Sequence, residues 1–141
     1  MDQTSILVLA TQYSFIAAFA GMAAGAIYFV MERNNLTPDY SPVASLSAMI
    51  ALVAAINYWA MKEMVGSGGD AAELAAFPTN YRYIDWVITT PLILAIFPIL
   101  LGGRRFDVSM MTRLVVADLV MIVFGYVGEV SINEAGGGTM L

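Results

Sequence analysis

Residues 6–30 run without a single charged side chain, and that run constrains the fold more than any other feature. A hydrocarbon layer about 30 Å thick is crossed by roughly 20 apolar residues in a helix. Inside it, only helices and closed barrels satisfy every backbone N–H and C=O. Three similar runs follow, so the pattern predicts spans over about 6–30, 42–61, 80–101 and 109–127 of an all-α membrane protein. Residues 32–41, the glycine-rich 66–79 and 102–108 read as connections. The stretch 129–141, with Gly136-Gly137-Gly138, reads as a loop. No positive n-region precedes the first run, which is too long for a signal peptide and reads as a retained anchor. Only 12% of the 141 residues are charged, against about 25% in soluble domains. The chain is one domain or a piece of one.

Charges in such a chain act locally. Arg33, Arg104, Arg105 and Arg113 lie at one side of the spans and Lys62 at the other. The positive-inside rule places the arginines in the cytoplasm and the N-terminus outside. That predicts a multi-pass cell-membrane protein. Absent cysteine and histidine remove disulfides, thiolate metal sites and the commonest metal ligand, and no metal site is expected. No basic patch suggests nucleic acid. Several features have ordinary readings. Gly21-Met22-Ala23-Ala24-Gly25 permits close helix contact. Lys62 is a snorkelling end-of-helix cation. Tyr58, Trp59, Tyr81 and Tyr83 suit an interfacial belt, and Pro91 and Pro98 are tolerable in a membrane helix.

The third run stands apart, because it carries Arg82 and Asp85. An intramembrane ion is expensive and marks a functional site with a partner to be found. At 100° per residue, Arg82, Asp85, Trp86, Thr89, Ile93 and Ile96 fall within about 50° of one direction. A structural Arg82–Asp85 pair is the plain alternative, the two lying about 4.5 Å apart along the axis. Stability alone would rarely repay desolvating it. Flanked by Arg82, Asp85 is expected to stay ionised, suited to balancing a buried cation and to taking its proton. Trp86 and Ile93 offer a flat apolar wall, and Thr89 can hydrogen-bond to Asp85. In the fourth run, Asp118 has no cation nearby in sequence. It reads as a protonated acid tying two helices together, with Thr90 as a candidate partner.

Arg82-Tyr83-Ile84-Asp85-Trp86 followed by Thr89-Thr90-Pro91-Leu92 closely resembles the third helix of microbial (type 1) rhodopsins. Ala117-Asp118-Leu119-Val120-Met121-Ile122 with Gly125 is similar to their fourth. The resemblance implies four transmembrane helices belonging to a seven-helix retinal-binding bundle. It implies all-trans retinal linked to a lysine not present in this chain, whose sole lysine is Lys62. By the same resemblance Asp85 is the counterion and proton acceptor, Arg82 the gate for release outward, and Thr89 the counterion's hydrogen-bond partner. Tyr83, Trp86, Thr90, Ile93, Asp118, Met121 and Gly125 match retinal-pocket positions, with Thr90 and Asp118 bridging two helices. The implied partners are a portion carrying helices five to seven with the lysine, the lipid bilayer, and further copies in a homo-oligomer.

Two departures bear on the mechanism. Ile96 stands where many pumps keep a reprotonating carboxylate. Asn57 stands where many bacterial relatives pair a histidine with the counterion, so Asp85 is expected to have less help from a partner. The reading is a light-driven outward proton pump rather than an enzyme. The alternatives are a photosensor or light-gated module with a slow cycle and no net transport, and a pigment-free four-helix protein.

Overall fold

The computed structural model describes residues 3–66, 79–102 and 107–135. Four helices make up almost all of them: α1 (Gln3–Glu32), α2 (Ser41–Gly66), α3 (Thr79–Gly102) and α4 (Val108–Ala135). Each contains a stretch long and apolar enough to cross a membrane. Arg104, Arg105, the 67–78 connection and the glycine run at 136–138 lie outside the described residues.

Local chemistry sets the ends. After α1 the chain turns tightly, with Asn35 N–H on the Glu32 carbonyl at 2.9 Å and Tyr40 N–H on that of Thr37 at 3.0 Å. Pro42 enters α2 in its first turn, where its missing N–H costs nothing. Asp107 caps α4, its Oδ1 accepting from Ser109 N–H at 2.8 Å, the arrangement an N-cap aspartate supplies. Two helices run further than their apolar stretches. α2 continues past Met61 to Gly66, taking in Lys62-Glu63. α4 continues past Val127 to Ala135, so Glu129 is helical where a loop was expected. Hydropathy marks where apolar solvent ends, whereas backbone hydrogen bonding carries on into the interface.

Consecutive helices pack antiparallel, each mainly on its chain neighbours. Ala44, Ala48, Ala51 and Ala55 are buried along one stripe of α2, and such small side chains let backbones approach closely. Phe15 meets Tyr58 and Phe19 meets Trp59, with ring centroids 6.3 and 5.1 Å apart. The glycine pair expected to provide close contact does not. A Cβ at Gly21 or Gly25 would meet nothing within 4 Å, because that side of α1 is turned away from α2. α3 passes through both prolines without interruption, and Pro98 is fully buried.

Candidate functional site

The polar groups of the third helix meet partners from both sides. Asn57, on α2, donates from Nδ2 to Asp85 Oδ1 at 3.0 Å and to the Val53 carbonyl at 3.0 Å. Both amide hydrogens are thereby used, which fixes the orientation of the group. Asp85 is half-buried, and it is not left short of help. The residue standing where a histidine was noted as missing is its direct hydrogen-bond partner.

Arg82 does not pair with Asp85. Its Nη2 lies 3.2 Å from Glu129 Oε1 on α4, and its guanidinium stands 6.0 Å from the Trp86 ring centre. The Tyr83 hydroxyl hydrogen-bonds the same Glu129 carboxylate. Tyr83 also packs edge-on against Trp86 and Tyr126, each at 5.2 Å. Its ring is accommodated by Gly125, where a Cβ would sit 3.2 Å from the Tyr83 oxygen. Glu129 was not foreseen as part of the site. A signal was available: it follows Asp118 by eleven residues, about three helical turns, and so shares its face.

Thr89 is buried, at 4% exposure, but its hydroxyl donates to the Asp85 main-chain carbonyl at 2.9 Å. The single hydrogen is then unavailable to the carboxylate, contrary to the expected side-chain bond. Thr90 does reach Asp118, with Oγ1 2.7 Å from Oδ2. The same oxygen lies 2.8 Å from the Trp86 carbonyl. The hydroxyl thus stands between two acceptors, the Asp118 carboxyl on α4 and a main-chain carbonyl of its own helix. Asp118 is 7% exposed, the setting in which an unpaired polar group is costly.

Phe15, Asn57, Tyr58, Arg82, Asp85 and Trp86 line a recess of about 230 Å³. Trp86 remains 41% exposed beside the acid. Ile93, seven residues on along the same face, is 51% exposed. Met121 and Ile93 stand outside the polar cluster. Among the described residues no group of His, Asp or Glu side chains is placed to hold a metal.

A multi-pass helical membrane protein with an intramembrane carboxylate beside an open indole is the class that fold and site define. The family model described as bacteriorhodopsin-like protein matches residues 9–139, and the chain belongs to that family of retinal-binding membrane proteins. It is similar to the green-light absorbing proteorhodopsin of Gamma-proteobacterium EBAC31A08, 32% identical over 89% of this chain and 48% of that one. The crystal structure of Exiguobacterium sibiricum rhodopsin superposes with a TM-score of 0.81 at 55% identity, covering 94% of this chain and 56% of that one. Xanthorhodopsin, described as a light-driven ion pump with dual chromophore, gives 0.77 at 28% identity, over 92% and 53%. The chain thus spans about half the length of the relatives it matches, and its four helices are part of a seven-helix bundle.

The residues present fit retinal. A long apolar cation needs a flat apolar wall and an anion at its charged end. Trp86 and Ile93 offer exposed apolar surface on the face of α3 that carries Asp85.

Proposed function

We propose that the chain is the portion of a light-driven outward proton pump that carries the proton acceptor. The N-terminus lies outside, and the lysine that anchors all-trans retinal belongs to helices five to seven. Asp85 carries this reading. It is a half-buried carboxylate held by a neutral amide, while the arginine one turn away is engaged by another acid. A carboxylate held in that way has no cation of its own among the described residues and is open to one delivered from elsewhere.

When bound, retinal supplies a proton-bearing cation and a light-driven change of shape. Asp85 accepts the proton on Oδ2, because Oδ1 is occupied by Asn57. Neutralising Asp85 removes the negative charge one helical turn from Arg82 and leaves the guanidinium to Glu129, which favours onward release through the outer ends of α3 and α4. Trp86 and Ile93 would form the apolar wall that holds the polyene and would exclude water from it. Thr90 and Asp118 tie α3 to α4 so that the acceptor holds its position. Ile96 offers no proton from the cytoplasmic side, so recovery draws on water or on a donor from the remaining helices.

The test is light-induced acidification of a suspension of cells making the full protein. Acidification that is abolished by a protonophore and by Asp85→Asn supports the pump. A folded, pigmented protein that acidifies nothing removes that reading. The apolar side chain of Ile96 favours one rival, a slow-cycling photosensor, which predicts recovery over seconds with no net transport.

A further inference from the structure

Arg82 and Tyr83 are consecutive on α3, and both engage one carboxylate on α4, Glu129. Three features hold the arrangement in place. Gly125 leaves room for the Tyr83 ring. Tyr126 and Trp86 clamp that ring edge-on. Glu129 is one-third exposed, so it is partly withdrawn from water. We propose that Glu129 is a positioning residue that holds the Arg82 guanidinium against α4 and away from Asp85, leaving Asn57 as the direct partner of the acceptor. The proposal rests on the proposed function.

The charged and titratable groups around the pair are few. α3 supplies Asp85, Arg82 and Tyr83, and α4 supplies Glu129 and Tyr126. α2 contributes Tyr58, and at its outer end Lys62 bound to Glu63 at 2.8 Å. Lys62 is therefore already partnered, and Arg82 is the cation that Glu129 controls. Without the Glu129 charge, the nearest carboxylate on its own helix is Asp85, one turn along.

The experiment uses the full retinal-bearing protein at alkaline pH, where Asp85 is ionised. A guanidinium drawn toward Asp85 offsets the negative charge that localises the chromophore's positive charge. Glu129→Gln is therefore expected to move the visible band to longer wavelength. Glu129→Asp, which keeps the charge, is expected to restore it. In an Arg82→Gln background, Glu129→Gln is expected to move the band no further. An unmoved band in Glu129→Gln, or an equal shift without Arg82, overturns the proposal.

Should Glu129→Gln fail to assemble, a solid-state NMR coupling between 15N-arginine and 13C-carboxyl glutamate in the unaltered protein decides. A short-range coupling that vanishes in Arg82→Gln supports the hold, and its absence overturns it. An unaltered protein with no visible band, or a band indifferent to Asp85→Asn, fails the underlying retinal reading instead, and this inference with it.

Discussion

Replacing Thr90 with valine preserves shape and deletes one hydroxyl, so it isolates the polar link between α3 and α4. That oxygen stands 2.7 Å from Asp118 Oδ2 and 2.8 Å from the Trp86 carbonyl. The carbonyl keeps a helical amide donor, whereas Asp118, at 7% exposure, loses its recorded partner. Leaving a buried polar group unpaired costs about 1–3 kcal/mol. Interhelical hydrogen bonds in membranes average only about 0.6 kcal/mol and reach about 1.7, because separated helices find other partners. Burial this deep places Thr90→Val toward the upper end of the membrane range, at about 1–1.5 kcal/mol, which is up to roughly a tenfold loss in the folding equilibrium. Reversible denaturation of the full protein by SDS reads it. Asp118→Leu is expected to cost less alone, because the Thr90 hydroxyl still donates to the Trp86 carbonyl. The double variant is expected to fall short of the sum by about 1 kcal/mol, since two apolar groups suit each other. A Thr90→Val effect within about 0.3 kcal/mol, or strict additivity, would refute the bridge.

Other consequences follow from the same contacts. Asn57→Leu removes the amide donor to Asp85 Oδ1. In light-induced infrared difference spectra, the carboxylic C=O stretch of protonated Asp85 is expected at higher wavenumber than in the unaltered protein. Gly125→Ala would place a methyl 3.2 Å from the Tyr83 oxygen. The expected loss is about 1 kcal/mol in the same SDS assay, the lower end for overpacking a tight contact, and no loss would show that Tyr83 gives way freely. Glu63→Gln breaks a pair between adjacent residues whose acid is 59% exposed. A stability change within about 0.5 kcal/mol is expected, and a larger one would mean that Lys62 does more than snorkel.

Much of the fold was legible because hydropathy is a local property. A run such as 6–30 meets bilayer-scale apolar solvent whatever its neighbours do, and a helix satisfies its own backbone there. The Asp118–Thr90 link was legible for a related reason, since a lone acid in an apolar run must find a donor or acceptor. The partner of Arg82 was not found and that of Thr89 was misjudged. Along one helix Asp85 lies nearest to both, as the plain alternative for the arginine and as the expected side-chain acceptor for the threonine. The arginine instead reaches across to Glu129, and the threonine bonds back to a main-chain carbonyl. Glu129 was assigned to a loop because it follows the last apolar residues, although its spacing from Asp118 puts it on the same face.

The residues alone determined that four helices cross apolar solvent and that the third carries a column of polar groups, because periodicity and composition are properties of single segments. The tertiary structure decided which of those groups meet. Pairings such as Asn57 with Asp85 and Arg82 with Glu129 depend on the rotation and register of one helix against another. The alanine seam of α2 and the Tyr83–Gly125 fit belong to that packing, and it exists only once neighbouring helices are in contact.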